Sequence, residues 1–110
     1  MKLINSMTED VLRKEILANQ ESAQNNIRLL NVIKEKFPSF KNFLIIDFLM
    51  EQGEDIYTLL IDGITVISLE LSRIDESAIW GNCLPVSEYE KLLVSKLAQL
   101  RLRVTLDILK

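Results

Sequence analysis

Apolar residues recur at helical spacing over the first third of the chain. The positions are Leu12, Ile16, Ala23, Ile27, Leu30 and Ile33. Such spacing predicts an amphipathic helix with one buried side. The stripe is interrupted at Asn19 and Gln20, where polar residues fall on the apolar side. The region therefore predicts either one long helix or two shorter helices that meet near residues 19–22.

The two ends of this helical region carry signals of their own. Ser6 and Glu9 have the spacing of a capping box, in which each side chain satisfies a backbone N–H group at the start of a helix. Phe37 precedes Pro38, and proline disfavours helical backbone in the residue before it. We therefore expect a helix start at Ser6 and the end of the region at Phe37-Pro38.

The middle of the chain predicts strands. Its apolar segments are residues 43–51, 56–61 and 64–71. Asp62 and Gly63 separate the last two segments and supply the two positive-φ positions of a type I′ hairpin turn. These features predict an antiparallel meander of three strands. Residues 39–52 have an alternative interpretation as a helix that is capped by Ser39 and ended by Gly53, although the strand is preferred.

A two-residue turn at Asp62-Gly63 predicts that Ile61 pairs with Ile64. In this register one face of the sheet carries Tyr57, Leu59, Ile61, Ile64 and Val66. The other face carries Ile56, Thr58, Leu60, Ile67, Leu69 and Leu71. Because both faces are substantially apolar, helices are expected to cover at least one of them.

The last third of the chain predicts a long connection and then a helix. Residues 73–86 contain turn-forming residues and predict an irregular segment. Ser87 and Glu90 form a second capping box, which opens an apolar stripe at helical spacing. The stripe consists of Tyr89, Leu93, Leu97, Leu100 and Val104. Residues 100–108 also alternate as a strand does, but no Gly, Pro or Asn separates the two patterns, so a continuous helix is preferred.

Together these patterns predict one α+β domain over residues 1–110, in which a small three-stranded antiparallel meander packs with amino-terminal and carboxy-terminal helices. The length of 110 residues lies within the range of a single domain. The first residues lack the apolar core of a secretory signal, and the apolar runs are far shorter than the roughly 20 residues that span a bilayer. We therefore expect a cytoplasmic protein that does not associate with membranes.

Charge is distributed unevenly along the chain. Residues 42–90 contain ten acids and one base, Arg73, which gives this stretch a charge of −9. The segments on either side carry +2 and +4, and the whole chain has a net charge of −3. Two arrangements are open. The terminal helices neutralise the acids within the fold, or the acids form an exposed surface that attracts a positively charged protein.

The residue types that most catalytic sites need are missing or isolated. The chain has no histidine, which removes the usual general base, the Ser-His and Cys-His pairs and the commonest metal ligand. Its one cysteine, Cys83, has uncharged neighbours and is expected to be a buried or bystander residue. Glu51, Glu54 and Asp55 do not have the spacing of a calcium-binding loop. We therefore predict no enzyme activity, no cofactor and no metal site.

Nucleic-acid binding is also disfavoured. Affinity for the phosphate backbone comes mainly from clustered Lys and Arg, whereas this chain is acidic overall. The acidic middle is instead a candidate surface for a protein partner. The candidate contact residues are Asp47, Glu51, Glu54, Asp55, Asp75, Glu76 and Trp80. Trp80 is included because a tryptophan in an irregular segment serves either as an interface anchor or as a plug at the end of a small core.

A short, acidic, histidine-free α+β chain with a compact meander and flanking helices resembles the immunity proteins of bacterial contact-dependent growth inhibition and related polymorphic toxin systems. The segment from Asp55 to Gly63, followed by residues 64–70, is similar to the central hairpin of several such proteins. The resemblance implies an antitoxin that binds a cognate toxin domain, often a basic nuclease, and blocks its active site. It covers the general character of the whole chain and carries over no individual residue.

A second function class fits the same features. Small acidic α+β proteins also act as secretion chaperones, which bind an extended segment of an exported effector as a dimer. The oligomeric state and the form of the partner distinguish this function from that of an immunity protein.

Overall fold

A computed structural model of the chain describes residues 2–75 and 77–109, with side chains described from residue 9 onward. The described residues form an α+β fold, as predicted. Its helices are α1 (Lys2–Gln24), α2 (Ile27–Lys36), α3 (Val86–Leu92) and α4 (Lys96–Leu109). Its strands are β1 (Phe43–Glu51), β2 (Glu54–Ile61), β3 (Thr65–Ser72) and β4 (Ala78–Pro85). The strands form one antiparallel sheet in the order β1-β2-β3-β4.

The amino-terminal region forms two helices that meet later than predicted. α1 continues through residues 19–22 and ends at Gln24. Asn26 then caps α2, because its side-chain oxygen accepts a hydrogen bond from the backbone N–H of Leu29 at 3.1 Å. The helix junction therefore lies at residues 25–26, where asparagine competes with helical backbone.

The predicted end of this region is confirmed and its predicted start is wrong. α2 ends at Lys36, directly before Phe37-Pro38. Helical backbone already begins at Lys2, so Ser6 lies inside α1 and is not its N-cap. The residues before Ser6 contain no Gly or Pro, and the helix therefore extends past the capping signal.

Gln20 explains why α1 is not interrupted where its apolar stripe lapses. The Gln20 side chain is only 8% exposed and lies against the outer edge of β1. Its amide nitrogen donates a hydrogen bond to the backbone oxygen of Phe43 at 2.7 Å, and its amide oxygen accepts one from the backbone N–H of Ile45 at 3.0 Å. Gln20 thus satisfies the two backbone groups that a neighbouring strand would satisfy.

β1 confirms the strand over residues 43–51, and the helical alternative is wrong. Its first four residues, Phe43, Leu44, Ile45 and Ile46, are all buried. A helix on one surface of a domain has one apolar side, whereas consecutive buried residues suit a strand that is covered on both faces.

The Asp-Gly turn is confirmed, but the register beyond it differs from the prediction. Asp62 and Gly63 have φ angles of 54° and 70°, as a type I′ turn requires. Ile61 pairs with Thr65 and not with Ile64. Ile64 is an extra residue between the turn and the strand. A shift of one residue sends every side chain of a strand to the opposite face.

The predicted faces of the third strand are therefore exchanged. Ile67 and Leu69 pair with Leu59 and Tyr57 and share their face. These residues pack in one buried cluster with Leu29 and Ile33 of α2, so we name this side of the sheet the α2 face. The opposite side carries Leu44, Ile46, Leu60 and Val66, which form a second buried cluster with Leu102 of α4. We name it the α4 face.

The predicted irregular segment contains a fourth strand. β4 covers Ala78–Pro85 and pairs with β3, and a bulge interrupts the pairing next to Ser68. A Cβ atom on Gly81 would lie 2.0 Å from the Ser68 side-chain oxygen, so a larger residue there would require the Ser68 hydroxyl to turn away. The segment predicted as irregular thus pairs as a bulged strand.

The carboxy-terminal helix is divided into two. α3 begins at Val86 after Pro85, so Ser87 is already helical and the predicted capping box is wrong. The chain leaves helical geometry at Leu93, and Ser95 opens α4. Its hydroxyl oxygen accepts a hydrogen bond from the backbone N–H of Ala98 at 2.9 Å. The helix preferred for residues 100–108 is confirmed.

Asp62 makes the hairpin turn sensitive to acid. Its Oδ1 atom accepts hydrogen bonds from the backbone N–H groups of Lys41 and Asn42 at 2.8 and 2.9 Å. These hydrogen bonds lower the pKa of Asp62 below its usual value of 3.8. A lowered pKa stabilises the fold above the pKa of the unfolded chain, and this contribution is lost as the pH falls through the folded-state value.

We therefore expect Asp62→Asn to lower the free energy of unfolding at neutral pH. The loss should become progressively smaller as the pH falls. The measurement is urea unfolding of both proteins from pH 7 down to about pH 2. The difference in the free energy of unfolding should be constant above the usual aspartate range and shrink below it. A difference that stays the same at all pH values would contradict a role for the ionised carboxylate.

Candidate functional site

The α4 face of the sheet is covered at one end of the strands and open at the other. Helix α4 packs at the covered end, over Leu44, Leu60 and Val66. Towards the other end, the side chains of Leu49 and Ile79 are 52% and 58% exposed. Within the residues that the structure describes, this end of the face is open to solvent.

Alternate residues of the four strands form the open end. We name it the acidic half-face, and it consists of Asp47, Leu49, Glu51, Glu54, Ile56, Thr58, Ser68, Glu70 and Ile79. Residues that are paired across strands share a face, because successive side chains of a strand point to opposite sides. The pairing places Leu49, Ile56, Glu70 and Ile79 in one row across the sheet. The surface therefore combines carboxylates with accessible apolar side chains.

A bulge in β1 brings Asp47 to this surface. Ile45 pairs with Leu59 and Asp47 pairs with Thr58, so Ile46 is an extra residue. Ile46 lies in the buried cluster of the α4 face, and Asp47 follows it on the same face. A bulge permits two consecutive side chains to point the same way. Without the extra residue, Asp47 would point to the α2 face.

Four carboxylates of the acidic half-face dominate its charge: Asp47, Glu51, Glu54 and Glu70. Glu51 and Glu54 are direct partners across the turn between β1 and β2, and like charges at opposed positions repel each other. Among the described residues, no lysine or arginine nitrogen lies within 4.0 Å of the carboxylates of Glu51, Glu54 or Glu70. None of these three carboxylates forms an ion pair among the described residues, although the Arg73 guanidinium lies nearby and donates to the backbone oxygen of Glu51 at 2.6 Å.

Arg101 of α4 lies at the border between the covered and the open ends. Its side chain is 15% exposed, and its Nη1 atom lies 3.8 Å from Asp47 and 3.5 Å from Glu15. Tyr89 of α3 lies near the same border, where burial and the charge of Asp47 raise the pKa of its hydroxyl while Arg101 opposes the rise. Among the described residues, Asp47 is therefore the one carboxylate of the half-face that forms an ion pair.

The structure separates the predicted contact residues into two groups. Asp47, Glu51 and Glu54 share the acidic half-face, as described. Asp55 belongs to the opposite side, where its carboxylate lies 3.4 Å from Nε of Arg73 and is 22% exposed. The distribution is a mixture of the two arrangements left open by the sequence, since some acids are neutralised within the fold and others are not.

Asp75 is also engaged within the fold. Hydrogen bonds from the Ser77 side chain and from its backbone N–H, the latter at 2.8 Å, lower the pKa of Asp75. Arg28 of α2 secures the same loop by donating to the backbone oxygens of Ser72 and Ser77 at 2.6 and 3.2 Å. Glu76, which was predicted as a contact residue, lies outside the described residues. The Asp75 carboxylate therefore stabilises the loop between β3 and β4.

Trp80 packs on the α2 face of the sheet. It is paired with Leu69 and is half-buried against the cluster of the α2 face. Its ring meets that of Phe37 edge-on, with centroids 5.9 Å apart and planes at 85°. Of the two roles considered for this residue, the structure favours the plug at the end of the core.

Sequence reasoning named three members of the half-face and missed six, which include its fourth carboxylate, Glu70, and its exposed apolar residues Leu49 and Ile79. The signal that could have revealed Glu70 is the alternation of side chains between the two faces of a strand. Glu70 lies two residues from Ser68 and pairs with Ile56, so it shares their face. That signal depends on the register, and the predicted register placed Glu70 on the wrong side. Ile79 was assigned to an irregular segment, where alternation does not apply.

Cys83 and the acids form no metal site in the described structure. Cys83 is exposed on β4 and is therefore not a buried residue. Among residues 2–75 and 77–109, no three cysteine or carboxylate side chains converge as metal ligands would. No helix of the described residues has the length and apolar character required to cross a membrane.

Comparison with protein-family models, with curated proteins and with solved structures found no match for this chain.

Proposed function

We propose that this protein binds a positively charged protein through its acidic half-face and acts as an immunity protein that neutralises a toxin domain. The observation that carries the proposal is the grouping of Glu51, Glu54 and Glu70, whose carboxylates form no ion pair among the described residues, beside exposed Leu49 and Ile79. An acidic surface that only contacts water needs no apolar side chains among its carboxylates. A protein-binding surface uses both charged and apolar side chains, because apolar area supplies affinity and charge supplies orientation and speed of association.

The opposition of Glu51 and Glu54 supports a cationic partner. Repulsion between facing carboxylates destabilises the free protein, and a lysine or arginine placed between them removes that repulsion on binding. The bound state gains the attraction and loses the repulsion. Charge complementarity of this kind also raises association rates by roughly ten- to a thousandfold at low salt.

A nuclease domain is the class of toxin that best matches this surface. Its cleft must be basic to hold the phosphates of its substrate. An acidic protein surface placed over the cleft competes with nucleic acid for the same lysines and arginines. The inhibition is stoichiometric and needs no catalytic group on the inhibitor.

The test is a triple charge reversal, Glu51→Lys, Glu54→Lys and Glu70→Lys. With a toxin domain encoded beside the gene as the partner, we expect the association rate at low salt to fall by at least about tenfold. The dependence of the rate on salt should also weaken or change sign, because screening then acts on repulsion instead of attraction. Surface plasmon resonance at several salt concentrations measures both quantities.

The matched control reverses three acids elsewhere: Asp10→Lys, Glu21→Lys and Glu35→Lys. These residues are exposed and give the same change in net charge, so the control separates a local effect from a global one. Equal losses in the two variants would argue against the acidic half-face as the binding surface. Binding of an extended effector segment by a homodimer would instead indicate the secretion chaperone.

A further inference from the structure

A groove adjoins the acidic half-face beneath α3. Its floor is formed by side chains of the α4 face and its wall by α3, and its lining includes Thr58, Val66, Ser68, Leu84, Tyr89 and Leu92. Leu92 is 64% exposed, so part of the wall is an accessible apolar side chain. The groove is thus a surface feature, continuous with solvent.

The size and lining of the groove suit protein side chains. Its volume of about 290 Å³ lies at the lower limit of small-molecule sites, which enclose roughly 300–1,000 Å³. Aliphatic groups of Val66, Leu84 and Leu92 and the ring of Tyr89 line it, and its polar groups are the short side chains of Thr58 and Ser68 together with Asn82. An apolar side chain that enters it exchanges water contacts for aliphatic and aromatic ones.

The strands connect the groove directly to the carboxylates. Thr58 is two residues from Ile56 and four from Glu54 on β2, and Ser68 is two residues from Glu70 on β3. Residues two apart on a strand share a face and lie roughly 7 Å from each other. Glu70 therefore lies roughly 7 Å beyond Ser68 at the end of the groove, and Glu54 lies roughly 14 Å beyond Thr58.

We propose that the partner presents an extended segment in which a large apolar or aromatic side chain fills this groove and a lysine or arginine two residues away pairs with Glu70. The inference rests on the proposed function and adds the recognition pattern. It follows from charge complementarity and spacing, since residues i and i+2 of an extended chain are also roughly 7 Å apart on one side. The apolar anchor is the source of affinity, and the cation sets the direction of the segment.

The experiment is selection of a phage-displayed library of random peptides on the full-length protein. We expect the enriched sequences to share a large apolar residue two positions from Lys or Arg. One such peptide, synthesised free, is then titrated against variants by calorimetry. A library that returns no such pattern overturns the proposal.

Two variants alter the groove without changing charge. Thr58→Trp fills it, and Leu92→Gln makes its exposed wall polar at a site where folding does not depend on burial. Each variant should weaken binding of the peptide by about tenfold, which is equivalent to roughly 1.4 kcal/mol of binding free energy. The control is Ile27→Gln on α2, which replaces an apolar side chain that is 72% exposed and remote from the groove, and it should leave the affinity unchanged.

The charge-reversed pair Glu54→Lys and Glu70→Lys separates the two proposals. If it weakens binding and both groove variants do not, the acidic half-face remains the binding surface and the groove inference fails. If neither the charge reversal nor the groove variants weaken binding, the peptide binds elsewhere and the groove inference fails, while binding of the toxin domain to the triple charge reversal decides the proposed function. Weakening by all three, with Ile27→Gln unchanged, supports the pattern.

Discussion

Replacing Gln20 by methionine should lower the free energy of unfolding by about 2–4 kcal/mol. Methionine matches glutamine in length and in helix propensity, so α1 itself is not weakened. The substitution removes both hydrogen bonds to β1 and leaves the backbone oxygen of Phe43 and the N–H of Ile45 without partners beside a buried side chain. Each buried backbone group left unsatisfied costs about 1–3 kcal/mol.

Urea unfolding of Gln20→Met measures this loss, and Gln24→Met is its matched control. Gln24 lies on the same helix and is exposed, so its replacement should change stability by less than about 0.5 kcal/mol. The Tm of Gln20→Met should fall by roughly 10–20 °C. Equal stability of the two variants would show that the contacts of Gln20 contribute nothing net.

Gln20→Met should also aggregate more readily than the control. The Gln20 side chain hydrogen-bonds to two backbone groups at the edge of β1. A strand edge whose backbone groups are free can pair with other chains. Light scattering at equal concentrations of folded protein provides the measurement. An increase confined to Gln20→Met is the expected result.

Replacing Leu59 by alanine should lower the free energy of unfolding by about 2–5 kcal/mol. Leu59 lies in β2 with no exposed surface, and it pairs with Ile45 on one side and Ile67 on the other. The substitution removes buried apolar area and leaves a cavity that a sheet covered by helix α2 cannot fill. A domain of this size is stable by only about 5–15 kcal/mol, so the loss is a large share of the total.

Leu49→Ala is the control for Leu59→Ala. It makes the same chemical change in a neighbouring strand, at a side chain that is 52% exposed. Denaturant unfolding should show a loss of less than about 1 kcal/mol for this variant. Comparable losses at the two positions would contradict the assignment of Leu59 to the centre of the core.

Much of the local structure follows from the sequence. The strand over residues 43–51, the turn at Asp62-Gly63 and the end of the second helix at Lys36 are present as predicted. Each depends on the conformational preferences of a few neighbouring residues, and these preferences act in the unfolded chain as well. The helix starts predicted from the capping boxes at Ser6 and Ser87 are wrong. A capping signal favours a helix start at its position but does not prevent the helix from beginning earlier.

The candidate site follows from the sequence only in part. Asp47, Glu51 and Glu54 share one surface, as a group of nearby acids suggests. Asp55 and Asp75 are removed from it because Arg73 and the Ser77 loop hold them elsewhere. Charge counted along the chain does not record which cation lies beside which acid.

The sequence alone determined an α+β chain with an acidic middle, a hairpin turn and helices towards both ends, because spacing and residue type act locally. Only the tertiary structure decided the register after Ile64, the pairing of β4 with β3 and the burial of Gln20. The register depends on how the chain accommodates Ile64 after the turn. Gln20 bonds to residues more than 20 positions away along the chain. One residue of shift in the register exchanges the two faces of a strand, so the acidic half-face is defined only after the strands have paired.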